Sequence, residues 1–589
     1  MADFKDVLLS QPRWVALTSA LVLLLGLPAA QWILNTLRPS HFPPGPPITP
    51  GLGNLLQMPL KKPYLRFQQW SREFGPEGPD GKTGKKAEII GLKLGTANMV
   101  VLSSARVVHE LLDKRGDKYS DRLPMWIVDN HILHQPEERG RLIMGYTEPF
   151  RKWRRSFQHV LAGSSIKKLL PLLEAEAAEL CYKLAITPPL GLANSEDENK
   201  DSKDDSNNIL FETLVRRWAL APPLLMTSGQ RLRDLPDSWL ADFYHGQDSL
   251  INMILPGNTP PVDLLPPLRY IPEFLASWKT KAREARRLFL RDAYGLLDAG
   301  KAHLRRTGTS TLRTFAGMDC LVAKAVRERQ DGTSDKKPEH ETDQFIAFQH
   351  TGFLGAAADT SIATLSTLVL VLAALPEVRS KAREEVDRVV AGVNKGGPPT
   401  ADMLGEFVYL RACMSEVLRW RPTTPGALPH VLNQEDSFEG YVFPKNTTFI
   451  IDAWTIGHDE EMYDRPDEFV PERFLDNPLG LRREAAEGVE GSGGHRRPVY
   501  AFGAGRRQCP GEQFSYTYIP LTVAKLLWAF DISAPAGGID LSIETGFVDG
   551  VVTRPAKTPV VLTVRSEERR AALVEDFERT QAVVQGLMG

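Results

Sequence analysis

Phe502-Gly503-Ala504-Gly505-Arg506-Arg507-Gln508-Cys509-Pro510-Gly511 sets one cysteine among glycines, arginines and a proline. A free cysteine is commonly a small buried hydrophobe, but these neighbours serve another purpose. Pro510 disfavours helix at Cys509 and suits the first helical position after it. Glu512 to Leu527 then reads as a helix. Cys509 therefore lies at a helix N-terminus, where the dipole and the free N–H groups favour a thiolate. Gly505 and Gly511 permit a tight backbone against a flat group, and Arg507 supplies a fixed cation.

Two segments upstream share this character. In Glu416-Val417-Leu418-Arg419 the acid and base are three apart, on one helix face. Such a pair is usually a solvated salt bridge of little worth, yet Leu418 and Trp420 make this helix amphipathic. Pro471-Glu472-Arg473-Phe474 follows it. From Gln344 to Pro376 the only formally charged residue is Asp359. The run reads as a core helix; a second membrane span is disfavoured, because a mid-helix aspartate is costly in lipid. A lone acid in a buried helix points to function. It stands in Gly355-Ala356-Ala357-Ala358-Asp359-Thr360-Ser361.

The ten-residue loop resembles the haem-binding loop of the cytochrome P450 family, Phe-x-x-Gly-x-Arg-x-Cys-x-Gly, with every fixed position present. The resemblance implies a mainly α fold with small β-sheets. Its cofactor would be haem b, iron protoporphyrin IX, with Cys509 as axial thiolate, a ligand that favours O–O cleavage. Phe502 would pack by the sulfur, Gly505 and Gly511 would shape the loop, and Arg507 would pair with a propionate. Glu416 and Arg419 look like the family's Glu-x-x-Arg pair, with Arg473 completing a buried structural network. The segment around Asp359 is similar to the family's oxygen-activating helix. There Asp359 would relay protons, and Thr360 would offer a hydroxyl to a ligand or to a carbonyl one turn back. Ala357 departs from the glycine usual at its position. Trp153 in Trp153-Arg154-Arg155 matches a propionate-binding tryptophan, but Phe157 stands where the family's arginine partner would be. Arg154 or Arg155 would compensate, or belong to a solvated basic face. His430 in Leu428-Pro429-His430 matches a propionate contact, with a purely structural histidine as the alternative.

Composition fits this picture. The chain has 589 residues, 24% charged and 42% hydrophobic, with a formal net charge of -2. That balance is globular and gives no basic footprint for nucleic acid. Cys181, Cys320, Cys413 and Cys509 form no CxxC or zinc-like cluster and no disulfide framework, so a reducing compartment is expected. Trp14 to Leu37 carries no charge, and about 20 such residues cross a bilayer. A cleaved signal peptide ending near Leu27-Pro28-Ala29-Ala30 is the rival reading. Basic residues after the run place the body on the cytosolic side.

The expected layout is an N-terminal membrane anchor over 1–38 and a stiff proline-rich hinge over 39–63, including Pro43-Pro44-Gly45-Pro46-Pro47. A catalytic domain over 64–566 and a C-terminal helical tail over 567–589 follow. Helical periodicity runs through Leu169 to Leu184 and Trp278 to Leu297, and β-like runs occupy Glu88 to Leu94, Asn98 to Leu102 and Thr447 to Ile451. Asn194 to Asn208 and Gly480 to Arg497 read as polar loops. Val262 to Pro272 is similar to fungal microsomal members, which implies an endoplasmic-reticulum membrane protein of secondary metabolism. One atom of O2 would enter a small hydrophobic substrate, with electrons from NADPH through cytochrome P450 reductase. Met125 to Asn130, Phe353, Ala356 and Thr423 to Leu428 are suspected of lining its site. Lys152, Arg154, Arg155, Lys167 and Lys168 are a candidate docking patch for the reductase. A non-oxygenating isomerase or dehydratase on the same fold is the alternative, and a haem-free membrane-anchored interaction protein is a third.

Overall fold

The computed structural model describes residues 24, 26–75, 86–133, 145–187, 200–307, 315–330, 342–491 and 496–588. Helices dominate. In chain order they are α1 (Pro63–Glu73), α2 (Ala105–Val108), α3 (Glu148–Val160), α4 (Gly163–Ile186), α5 (Lys200–Ser228), α6 (Asp237–Ile254), α7 (Ser277–Thr307) and α8 (Leu321–Gln330). Then come α9 (Asp343–Ala374), α10 (Pro376–Asn394), α11 (Val408–Trp420), α12 (Ala453–Gly457), α13 (Arg473–Asp476), α14 (Arg483–Gly491), α15 (Glu512–Ala529) and α16 (Glu567–Leu587).

The strands are few and short. β1 (Ile89–Leu94) and β2 (Ala97–Leu102) are antiparallel, with Ile89 opposite Leu102. β6 (Thr448–Ile451) runs parallel to β2, and β3 (His430–Val431) closes the four-stranded sheet β1-β2-β6-β3. The expected β runs at 88–94, 98–102 and 447–451 all lie in this sheet. The pairs β4 (Asp436–Phe438) with β5 (Tyr441–Phe443), β7 (Phe530–Ser533) with β10 (Val561–Val564), and β8 (Phe547–Val548) with β9 (Arg554–Pro555) carry little sequence signal because each strand is so short.

α9 is the axis of the molecule. It is apolar on every face and packs against α5, α7, α11 and α15, which is how such a helix escapes water. It is the one helix among the described residues long and apolar enough to cross a membrane, and 72% of its most apolar stretch is buried in protein. That burial makes it a core helix. Leu354, Ala358, Leu365, Leu368 and Val369 join Leu169, Leu173, Trp218, Met414 and Leu527 in the largest core cluster.

Four expectations change. The polar stretch 194–208 is helical from Lys200 onward, while 194–199 lie outside the described residues. Within 480–497, Arg483–Gly491 is a helix in which Arg483 pairs with Glu487 at 3.0 Å, one turn on. Pro510 sits in a turn and α15 begins at Glu512, after Gly511. The proline-rich stretch does not stand free as a spacer. Phe42 is buried, Gly91 donates to the Pro44 carbonyl at 2.8 Å, and Arg38 donates to the carbonyls of Pro43 and Pro46.

α16 is a helix, as expected, but not a loose one. It lies along α4 with Leu573 and Val584 buried, and Phe577 stacks on Tyr182 at 4.3 Å. Asp576 pairs with Lys525 of α15, their side chains 2% and 1% exposed. Of the uncharged run 14–37, residues 14–23 and 25 lie outside the described residues; in its described part Leu24, Leu27, Ile33, Leu34 and Leu37 are exposed.

Candidate functional site

The cysteine loop is held by a fixed backbone and one ion pair. Cys509 N–H donates to the Phe502 carbonyl at 2.8 Å, and Gly511 N–H donates to Cys509 Sγ at 3.3 Å. Gly505 adopts φ +65°, and a Cβ there would overlap the Leu112 carbonyl oxygen, so only glycine fits. Gly511 has an ordinary φ of -90°; its contribution is the N–H aimed at sulfur. Asp113 accepts from Gly505 N–H at 2.7 Å and takes both arms of Arg497 at 2.7 and 2.8 Å. Sequence reading missed Asp113 and Arg497, whose partnership spans distant segments.

Cys509 is exposed, unlike Cys181, Cys320 and Cys413, which are buried. Protein nonetheless surrounds its thiol, and burial pushes the pKa up, opposed by the Gly511 N–H and Arg154. The residue is thus exposed while its thiol sits in a desolvated setting, next to Arg154. Phe502, half-buried, stands beside it, its ring 6.0 Å from Tyr516.

A group of cations lies beside the cysteine loop. Arg507 donates through Nε to the Ser120 carbonyl at 2.8 Å and lies 3.5 Å over the Phe150 ring. Burial, then Arg122 and Arg154, push its pKa down to about 8. Arg122 donates to the carbonyls of Leu428 and Pro429, and burial with Arg154 nearby lowers it to about 10. Arg154 turns inward and donates to the Gln508 carbonyl. Neither Arg122 nor Arg154 forms an ion pair among the described residues, and Arg122 Nε is sealed without a partner. Trp153 Nε1 is likewise buried with no acceptor. Phe157 packs on Trp153 with ring centres 4.7 Å apart. Arg122 escaped the sequence reading; its one signal was an arginine beside Asp121 ahead of Pro124.

His430 is buried, with Nδ1 2.7 Å from the Tyr119 carbonyl. Facing a carbonyl, Nδ1 must carry the proton. Burial, with Arg122 and Arg507, drives the pKa well below normal and holds the ring neutral. In that state Nε2 is an acceptor, and a direct bond to a carboxylate requires the imidazolium.

On α9, Gly352, Ala356 and Thr360 recur at four-residue spacing and are half-open, as are Phe353, Ala357, Asp359 and Ile362 beside them. Thr360 Oγ1 donates to the Ala356 carbonyl at 2.9 Å, and Ser361 to Ala357 at 2.7 Å. Asp359 lies on the neighbouring row with Gly355. Burial and the nearby Asp248 push its pKa up to about 6, against the pull of Arg554 and Arg216. Phe353 lies on the other flank, 4.5 Å from the Phe157 ring.

Behind the cysteine, Glu416 has no exposed surface. Arg419 grips its two oxygens at 2.7 Å each, Arg473 Nε donates to Oε1 at 3.2 Å, and Val470 N–H adds a bond at 2.8 Å. Arg419 also donates to the carbonyls of Gly457, Pro466 and Glu468, and Arg473 to those of Asp464 and Arg465.

The structure thus brings Arg507, Trp153 and His430 close to one another, beside the loop that carries Phe502, Gly505, Cys509 and Gly511. Asp359 and Thr360 lie on α9, and Glu416, Arg419 and Arg473 lie together in the core. Of the suspected lining residues, Ile127 and Val128 are instead buried with Trp278 of α7. Thr423 is buried, and Thr424 bonds the Ala501 carbonyl beside the cysteine loop. Within the basic patch, Arg155, Lys167 and Lys168 are exposed, whereas Arg154 is spent on the cysteine loop.

Residues 43–562 match the family model described as Cytochrome P450. The chain is 35% identical to a cytochrome P450 monooxygenase, grgG, of Penicillium sp, over 100% of this chain and 99% of that protein. It is 32% identical to a cytochrome P450 monooxygenase of Arthrobotrys oligospora over 93% of each chain. It is 29% identical to the cytochrome P450 monooxygenase yanC of Aspergillus niger, over 96% and 98% of the two chains.

Proposed function

Because this chain belongs to the cytochrome P450 family, whose members carry haem b on a cysteine thiolate, we propose that it inserts one atom of O2 into a small hydrophobic substrate of fungal secondary metabolism. The observation that carries the reading is the exposed Cys509 on a loop beside buried cations and two orphaned N–H groups. Arg122 and Arg154 form no ion pair among the described residues, and buried charge without compensation is costly, so the site suits a flat group with anionic edges. Haem b fits.

Cys509 would be the axial ligand, with the Gly511 N–H holding negative charge on sulfur. Arg507, Arg122 and the Trp153 indole would hold the propionates. An anion there would raise the His430 pKa and turn its Nε2 into a donor. Bound haem supplies activation of O2. Asp359, whose pKa of about 6 keeps both forms accessible near neutrality, passes protons toward the open face of α9. Thr360 can leave the Ala356 carbonyl and offer its hydroxyl to that face. Small side chains at Ala356 and Ala357 leave room there, and the apolar wall of α9 excludes stray water. Glu416, Arg419 and Arg473 fix the core behind the cysteine and take no part in chemistry.

The uncharged run 14–37 would anchor the protein in the endoplasmic-reticulum membrane, its exposed leucines facing lipid. Electrons would come from NADPH through cytochrome P450 reductase, with Arg155, Lys167 and Lys168 meeting an acidic partner surface. Substrate-dependent NADPH and O2 consumption with a hydroxylated product tests the monooxygenase reading. Turnover without either cosubstrate supports the isomerase or dehydratase alternative.

A further inference from the structure

The feature left unused lies where α6 crosses α9. Gly355 has no side chain, and the space its Cβ would fill holds the Gln247 amide, with Oε1 nearest. Gln247 is 6% exposed, yet no group among the described residues hydrogen-bonds its amide. Nor is that amide among the sealed, partnerless atoms, so it borders accessible space. Its neighbours on α6 are committed elsewhere: Phe243 joins Leu354 and Ala358 in the core, and Tyr244 donates its hydroxyl to the Arg216 carbonyl at 3.0 Å. Gly355 sits in the helical row next to Gly352, Ala356 and Thr360. The amide therefore stands at the α6–α9 crossing, next to the half-open row of α9, with Asp248 and Asp359 the carboxyl groups nearby. An amide held there without a partner is destabilising unless something polar comes to it.

We propose that Gln247 is the polar anchor for the substrate. Its amide hydrogen-bonds a hydroxyl or carbonyl oxygen carried by an otherwise apolar molecule, and that bond selects which carbon meets the Ala356–Thr360 face. The substrate class is thus a small hydrocarbon skeleton bearing at least one such oxygen. The proposal rests on the monooxygenase reading and goes beyond it by naming what the substrate must carry. Gln247 touches substrate and positions it; it takes no part in proton transfer.

The test uses purified full-length holoprotein and matched ligand pairs: indane with 5-hydroxyindane, naphthalene with 2-naphthol, decane with 1-decanol. Dissociation constants come from ligand-induced shifts of the haem spectrum. In the wild type, at least one oxygenated member should bind roughly 10-fold tighter than its partner, the size of one net hydrogen bond. Gln247→Met keeps the length and the cover over Gly355, and should erase the preference while leaving hydrocarbon affinity unchanged. Gly355→Ala should push the amide aside and reproduce the loss by a different route, which guards against a folding defect in either variant. A preference that survives both substitutions, or a wild type with none in any pair, overturns the proposal. So does Gln247→Met that keeps the preference and releases more hydrogen peroxide, which would assign the amide to Asp359 instead. A wild type lacking the thiolate carbon-monoxide band would sink the underlying haem reading first, and is recognisable as that failure.

Discussion

Glu416, with two guanidinium groups around it and no exposed surface, shows how much can hang on one carboxylate. A buried ion pair is weak evidence for net stability, but removing one partner strands the others. Glu416→Ala should cost about 3–5 kcal/mol, read as a fall in thermal midpoint and in haem content per protein. Glu416→Asp, which keeps charge but shortens reach, should fall in between. Residues beside the cysteine loop should behave differently. Arg122→Leu and Trp153→Phe each remove a buried N–H that has no partner among the described residues, and Arg122 makes no ion pair there, its other bonds being to the Leu428 and Pro429 carbonyls, so the haem-free fold should largely tolerate them. Both should lower haem retention, measured as the ratio of haem to protein absorbance after gel filtration. The cysteine loop and the Glu-x-x-Arg pair were legible in the sequence because spacing along one short segment encodes them. Arg122, Asp113 and Arg497 were not, since each acquires its meaning from a partner hundreds of residues away or from an orphaned atom that only packing creates.

Within α9, an acid sits where almost everything else is apolar, and the sign of its titration follows. Asp359 has a folded pKa of about 6, above its ordinary value. Its charged form is therefore penalised in the fold. The penalty is fully present above about pH 6, shrinks as pH falls, and vanishes below the unfolded value. Asp359→Asn should stabilise the protein at pH 7.5 by an amount on the order of 2–3 kcal/mol. The gain should narrow toward pH 5, checked by thermal midpoints across that range. Activity should move the other way: turnover should fall about 10²–10⁴-fold, with a larger solvent isotope effect. The wild-type decline in rate as pH rises through about 6 should be absent from the variant. Thr360→Ala should still bind substrate and consume NADPH, with more of the electrons recovered as hydrogen peroxide. The length and core position of α9 were readable from its apolar run, in which Asp359 is the one charged residue between Gln344 and Pro376. Its neighbours were not, because Asp248, Arg216 and Arg554 reach Asp359 from three other elements. The helices at Lys200–Ser228 and Arg483–Gly491 were hidden by their polarity, which in the second is accommodated by the Arg483–Glu487 pair one turn apart.

Across the whole molecule, the C-terminal helix α16 is part of the body. Deleting 567–589 would uncover Leu573's partners and leave Lys525 buried without Asp576. We expect that truncation to yield aggregated or haem-poor protein, whereas Asp576→Asn together with Lys525→Met should remain soluble and spectrally normal. Charge reversal at Arg155, Lys167 and Lys168 should slow reduction by the reductase and weaken its salt dependence, measured by stopped-flow formation of the carbon-monoxide complex. Unchanged rates would make those residues an ordinary solvated face. All of this depends on an iron–thiolate bond at Cys509, and one measurement reaches it directly: the reduced, carbon-monoxide-bound spectrum of the wild type beside Cys509→Ser and the Cys181→Ser, Cys320→Ser, Cys413→Ser triple variant. The structure predicts the red-shifted thiolate band in the wild type and the triple variant and its loss in Cys509→Ser alone; a Cys509→Ser protein that keeps that band contradicts the account.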